Sequence, residues 1–317
     1  MTAARYAVRR LAILAASLFG ASLLVFVVLA VLPGSPAQVI LGTQATPQSV
    51  AAMTAKLGLN KPLRNQYGDW IGGLLSGRLG ASYISGQPIG SQLSAALQVT
   101  VPLILIALVI GITIAVPLGT LAAYRHDRLS GALVTMVSQI GIAIPAFIGG
   151  IAMIIIFAVK IHVFPSGGFV TWGTSVTGAL RSLILPAIVL GVAEAAILTR
   201  FIRASVLEVV RSDFYRTARA KGLSPVTALR RHGTRNALIP VITVLGLELA
   251  GLIVGAIMVE NVFTLPGVGS VLVNAVNNRD LIMVQDIVLL VSAIVLVVNF
   301  GVDMSYRLLD PRIGSPR

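Results

Sequence analysis

The sequence predicts an all-α, polytopic membrane protein with six spanning helices and both termini on the cytoplasmic side. Three observations predict it. The 317 residues are 56% hydrophobic and only 11% charged, against about 25% charged residues in soluble chains. Several apolar runs reach the roughly 20 residues that a helix needs to cross a bilayer. Finally, with six spans drawn on those runs, the inner segments hold 17 of the 24 Lys and Arg and the outer segments hold 7. Basic residues stay preferentially on the cytoplasmic side. The net charge of +13 is therefore read as topological, and the aromatic, basic signatures of RNA binding are absent. No nucleic acid is expected as a partner.

The elements follow in order. Arg5, Arg9 and Arg10 precede the apolar run Leu11 to Leu32. Ser35-Pro36-Ala37 mimics a cleavage site, but the run is about twice the length of a signal-peptide apolar region, so it is read as an uncleaved first span (1–32). Residues 33–96 are mixed and rich in Pro, Gly and Ser, which predicts turns and short helices on the extracytoplasmic side. The best of these helices is Pro47 to Leu57, with Thr46 as N-cap. A five-helix core follows over 97–305. Span two runs from Leu97 to Tyr124 and holds Pro102 and Pro117. Span three runs from Ala132 to Val159, with Pro145 near its middle. A kink is expected at these prolines; a binding site at a broken helix is the alternative. Span four, Leu183 to Leu198, is short. Span five is Ala237 to Val259, and span six is Val284 to Val302. Lys160 to Arg181 and Glu260 to Met283 are outer loops, and 306–317 is a cytoplasmic tail.

The most informative interval is the polar loop 200–236. It carries nine Lys and Arg but only two acids, Glu208 and Asp213. It reads as two short helices. Ser212 is placed to N-cap the first, Asp213 lies in its first turn, Arg219 and Lys221 in its last, and Gly222 just past its C-cap. Ser224 caps the second, with Pro225 at its first position. An ordered basic helix at a membrane face has the form of a docking surface.

Acids within spans are costly and often functional. Glu194 and Glu248 are the candidates for the translocation pathway. For Glu194 the plainer reading is an interfacial residue paired with Arg200 or Arg203. Glu248 lies mid-span and should face the bundle or a cavity. Asp286 and Asp303 are expected at the interface. Gly251 and Gly255 form a GxxxG in span five, expected to serve close helix packing.

Other chemistry is excluded by what the sequence lacks. It has no Cys, hence no disulfide and no thiolate metal site, and its three His are far apart without metalloprotease spacing. No GxxxxGK[ST] phosphate loop and no catalytic set occur, so no cofactor is expected in this chain and no enzyme activity. No internal repeat of the kind that marks many secondary transporters is visible.

The sequence resembles the permease subunits of bacterial ABC importers, in the dipeptide, oligopeptide and nickel branch, B-type subunit. The resemblance runs over nearly the whole chain. It is carried by LPGSPA and LGLNKPLRNQYGDWIGGLLSGRLGASY early, and by IAIPAF and FPSGGF in the middle. Late in the chain it is carried by the long block FYRTARAKGLSPVTALRRHGTRNALIPVITVLGLELAGLIVGAIMVENVFTLPGVG, then NRDLIMVQ and LDPR. It implies a type I ABC importer permease fold in the bacterial inner or plasma membrane. It also implies three kinds of partner beyond membrane lipid: a second homologous permease, two ATPase subunits or domains that carry ATP and Mg, and an extracytoplasmic binding protein. Under this resemblance Ser212, Asp213, Phe214, Tyr215, Arg216, Thr217, Ala218, Arg219, Ala220, Lys221 and Gly222 form the coupling helix that seats on an ATPase. Arg216, Thr217 and Ala218 stand at the positions of the Glu-Ala-Ala signature, so the first two depart from it, and the interval from Gly222 to Pro240 is longer than the general motif. Arg78 stands where the family usually has Asp. Peptides are the expected cargo, with nickel chelates, glutathione or haem as alternatives. A stand-alone secondary transporter is the reading from another class.

Overall fold

In a computed structural model the chain is described over residues 3–32 and 34–309. Pro33, the first residue of the segment expected on the extracytoplasmic side, and the tail from Asp310 lie outside the described residues. Among those residues every regular element is helical, apart from one isolated bridge between Ala81 and Pro88. The long α1 (Ala3–Val31) is followed by three short helices, α2 (Pro36–Leu41), α3 (Pro47–Lys56) and α4 (Leu63–Leu75). Next come α5 (Ile89–Tyr124), α6 (Leu129–Ala143), α7 (Ala146–Met153) with a π-helical extension over Ile154–Lys160, and α8 (Val176–Arg211). The small α9 (Asp213–Ala220) and α10 (Pro225–Ala228) lead through a π-helical turn, Leu229–Gly233, into α11 (Thr234–Val262). The chain closes with α12 (Val268–Asn277) and α13 (Leu281–Leu309). Five of the helices are long and apolar enough to cross a membrane, and the bent pair α6–α7 makes a sixth if counted as one span.

Local chemistry explains the boundaries. Thr46 and Ser49 form a reciprocal capping box: each backbone N–H donates to the other's hydroxyl, at 3.2 and 2.9 Å. That satisfies two of the orphan donors at the start of α3. Ser35, read as part of a cleavage-site mimic, instead caps α2 by accepting from the Gln38 N–H.

Span three is not kinked but broken. Its two halves meet at 94°. The residue before a proline is pushed out of the helical region by clash with the proline ring, and Ile144 sits at φ −88°, ψ 114°. Pro145 then heads α7. Pro102, Pro117, Pro186 and Pro240 stay inside continuous helices.

Span four is not short either. Residues expected in the loop, Arg200 to Arg211, continue α8, which reaches 36 residues. At 1.5 Å per residue that is about 54 Å, and it outreaches a hydrocarbon core of about 30 Å. The loop proper therefore begins at Ser212. Likewise Glu260, expected in an outer loop, belongs to the last turn of α11, and the segment after it contains α12.

The chain divides into two compact units. The first holds Val101–Leu265 and the chain from Val298; the second holds residues 4–100 and Pro266–Val297. In the first, an apolar cluster joins Ala115 and Ala123 of α5, Leu198, Ile202, Val206 and Val209 of α8, and Ala237 and Val241 of α11. In the second, Ile89, Leu93 and Ala96 of α5 pack with Val268 and Ala275 of α12 and with Met283, Val284 and Ile287 of α13.

Within the first unit, α5 and α8 approach so closely that only glycine fits at several points. A Cβ on Gly191 would lie 2.7 Å from the Ile110 side chain and 2.8 Å from the Ala107 carbonyl oxygen. One on Gly119 would lie 2.8 Å from Ile202. Small residues that let helix backbones touch replace the hydrophobic driving force that lipid removes. Span five shows the limit of that rule. Gly246 meets Val302 of α13 and Gly255 meets Leu190 of α8, but Gly251 is exposed and faces only Glu248 of its own helix. The GxxxG of α11 is not one packing face.

Candidate functional site

The segment after α8 folds as an ordered two-sided turn. Ser212 stands at the N-cap position with extended backbone, but its hydroxyl donates back to the Val209 carbonyl at 2.6 Å, so it makes no side-chain cap for α9. The hydroxyl joins the Ser212 N–H on the Val209 carbonyl at the end of α8 instead of accepting from the amides of α9. The other end of α9 ends as the sequence predicts. Gly222 has φ +87°, its N–H donates to the Arg219 carbonyl, and the Leu223 N–H donates to the Ala218 carbonyl. This is the Schellman arrangement, which needs a left-handed residue and favours glycine there. Ser224 caps α10 through the Thr227 N–H.

Tyr215 and Ala218, three residues apart and so on one helix face, are buried in the apolar cluster of the first unit. Tyr215 and Tyr124 both donate hydroxyls to the carbonyl of Pro225, at 3.3 and 2.8 Å. Tyr124 is a holding residue that no motif in the sequence marked; it fell at the end of an apolar run. Asp213, Phe214, Arg216, Thr217, Arg219, Ala220 and Lys221 are exposed. Arg216 pairs with Asp213 at 3.5 Å, and the Arg219 guanidinium donates to the Leu223 carbonyl. The helix is thus anchored by one face and presents the other.

The acids are placed differently from expectation. Glu194 makes no ion pair with Arg200 or Arg203. It is 4% exposed, and its Oε1 has no hydrogen-bond partner. Its Cγ would lie 3.1 Å from a Cβ on Gly111, so a glycine of α5 makes room for it. Arg200 lies over the Phe201 ring at 4.8 Å. Glu248 is half-buried on α11, near enough to Glu194 for the two charges to interact. The structure therefore brings the two candidate pathway acids to one region of the first unit.

Asp286 is 2% exposed, and its Oδ1 accepts from the Trp70 indole N–H at 2.8 Å. Asp280 accepts from the Ser82 hydroxyl and, at 3.1 Å, from the Tyr83 N–H. Burial and the charges of Asp280 and Asp286 raise the Tyr83 pKa above its ordinary value of 10.0, so its phenol stays protonated. Sequence reasoning missed this polar set. Its partners are some 200 residues apart in the chain, and no local pattern joins them.

The second unit also encloses a cavity of about 680 Å³, walled by the end of α1, α2, α4, the 78–83 loop and the start of α13. Such a volume lies in the range of small-molecule sites, roughly 300–1,000 Å³. Among the described residues no cluster of His, Cys, Asp or Glu is suited to a metal ion.

Comparison with known proteins places this architecture. Residues 115–315 match the family described as binding-protein-dependent transport system inner membrane component, and residues 3–110 match its N-terminal counterpart. The chain is 37% identical to a probable peptide ABC transporter permease protein of Sinorhizobium fredii, over 97% of this chain and 98% of that one. It is 38% identical to a di/tripeptide transport system permease protein of Pseudomonas aeruginosa, over 98% of each chain. It is 36% identical to a glutathione transport system permease protein of Escherichia coli, over 97% and 98%. Among solved structures, the MetNI methionine ABC transporter in an inward facing conformation has the same fold. Its TM-score is 0.58 at 19% identity, covering 69% of this chain and 96% of that one. The membrane-crossing helices and these matches agree: the chain is a multi-pass inner-membrane permease of ABC-transporter type and belongs to the family of binding-protein-dependent transport system inner membrane components.

Proposed function

We propose that this chain forms one half of the membrane pathway of an ATP-driven importer of small peptides and seats an ATPase subunit on α9. The observation that carries the docking reading is the two-sidedness of α9. A helix that transmits force must be fixed to the bundle and still offer a free face. Tyr215 and Ala218 supply the fixed side, and Phe214, 42% exposed, is the largest apolar group on the other. A second permease completes the pathway, and a binding protein delivers cargo on the opposite side of the membrane. ATP binding and hydrolysis on the partner chains then switch the cavity between two rigid arrangements. Peptide cargo is supported by the names of relatives 37 and 38% identical. The relative named for glutathione keeps a tripeptide-like cargo within the same reading. Glu194 and Glu248 line the pathway on this proposal.

The absence of cysteine makes the test direct. In membranes co-expressing the cognate ATPases, Phe214→Cys cross-links to an ATPase and Tyr215→Cys does not. Equal cross-linking at both positions, or at neither, defeats the docking assignment. Peptide uptake into proteoliposomes that requires ATP, the ATPases and the binding protein supports the importer. Uptake by this chain alone without ATP moves it to the secondary transporters.

A further inference from the structure

The cavity of the second unit has no role in the function proposed above. Its floor is made by spanning helices and the residue that follows the first: Phe26 and Leu29 from the last two turns of α1, Leu32 just past its end, and Leu281 and Ile282 from the first turn of α13. The apolar window of α1 ends at Val31, so these walls stand where the hydrocarbon of one leaflet meets its headgroups. Trp70 and Tyr83 add two amphipathic rings to the wall, the residue types enriched at that depth.

The charges of the rim are unequal. Lys61 and Asp69 hold each other at 2.7 Å and cancel. Arg78 has only a neutral partner among the described residues, the Ser76 hydroxyl at 3.1 Å. Its position is set by a tight turn. Its N–H donates to the Gly73 carbonyl at 2.8 Å, and a Cβ on Gly73 would lie 2.9 Å from the Arg78 carbonyl oxygen. The cavity thus offers long apolar walls at lipid depth and one uncancelled cation. A zwitterionic peptide needs an anion as well as a cation, and the one carboxylate here is already engaged by Lys61. A ligand with an apolar chain and an anionic head matches both features.

We infer that this cavity binds an anionic phospholipid from the surrounding bilayer, its acyl chain between α1 and α13 and its phosphate on Arg78. Nothing in this depends on what the chain transports. An anionic head on one uncancelled surface cation is favoured over a neutral head by about five-fold. Trp70 is the reporter, because it lines the cavity and the chain has only two tryptophans.

The experiment uses the full chain with Trp172→Phe, reconstituted in phosphatidylcholine vesicles. Acyl-brominated phosphatidylglycerol or acyl-brominated phosphatidylcholine is titrated in, and Trp70 fluorescence is read. Saturable quenching at about five-fold lower mole fraction of the anionic lipid is expected. Arg78→Glu, an exposed change, should abolish that preference. Ala30→Phe, which fills the cavity beside α1, should reduce quenching by both lipids. Equal quenching by the two lipids in the unsubstituted cavity overturns the proposal, as does a preference that survives Arg78→Glu. Relief of the quenching by a dipeptide, or by free oleate at a lower mole fraction than phosphatidylglycerol, overturns it in favour of those ligands.

Discussion

Two regions bury acids to a similar degree and use them differently. In the first unit Glu194 is 4% exposed and leaves an oxygen without a partner. The helices around it are held by backbone approach at Gly119 and Gly191. In the second unit Asp280 and Asp286, 4% and 2% exposed, are the joints: they tie α13 to the 82–83 turn and to Trp70 of α4, although Asp286 uses only Oδ1 and its Oδ2, like Glu194 Oε1, has no partner. One unit is assembled by fit and carries a spare carboxyl; the other is joined by carboxyl hydrogen bonds. A carboxyl that holds nothing in place is free to serve function, whereas one that accepts two donors is committed to structure.

The contrast is broken most easily at the close approach. Gly191→Leu drives a side chain into Ile110 and the Ala107 carbonyl. It should cost about 3 kcal/mol or more, seen as loss of folded protein on size exclusion and a lowered Tm in detergent. A variant folding at the wild-type Tm would mean that α5 and α8 are not in contact there.

Asp280→Ala comes next. It strands the Ser82 hydroxyl and the Tyr83 N–H and should cost about 1–3 kcal/mol. Asp286→Ala, by freeing the Trp70 indole, should in addition shift Trp70 emission. Gly222→Ala forces a side chain into a left-handed residue and should loosen the end of α9 by about 1–2 kcal/mol. Faster amide exchange confined to Ala218–Leu223 is the readout, and no change there would remove the Schellman stop.

The smallest effect sharpens the comparison. Glu194→Gln should leave stability within about 0.5 kcal/mol, because Oε1 has no bond to lose, while peptide uptake changes if the residue lines the pathway. A loss above about 2 kcal/mol would make Glu194 a structural acid like Asp280. Alkaline pH separates the units again. Since the folded Tyr83 pKa is raised above 10.0, the folded state holds a proton that the unfolded state releases first. The Tyr83 contribution is complete below about pH 10 and declines as pH rises through the folded value. Tyr83→Phe should flatten that decline in an alkaline unfolding series.

Much of the architecture was legible because its causes are local. Apolar runs of spanning length, the Thr46 cap and the Gly222 stop each depend on a few neighbouring residues; the cap and the stop appear where the sequence places them, and the runs recur as helices, with other bounds at spans three and four. The errors share a cause too. Arg200 to Arg211 looked like a loop because the residues are polar, yet polarity only says that α8 has left the hydrocarbon, not that the helix has ended. Pro145 looked like Pro102 and Pro117. Whether a proline kinks a helix or breaks it is decided by whether neighbouring helices hold the preceding residue helical, and Ile144 is not so held.

By itself the sequence determined the all-helical, multi-pass character of the chain, the two-helix form of the basic segment and, through motif order, the family. Each rests on composition or on contacts between residues close in the chain. Only the tertiary structure decided which acids are joints and which are free, which face of α9 is spent on anchoring, and that a cavity stands beside Arg78. Those outcomes depend on side chains brought together from as far apart as Trp70 and Asp286. Hydrogen-bond satisfaction and burial are properties of that assembled neighbourhood, and no local pattern encodes them.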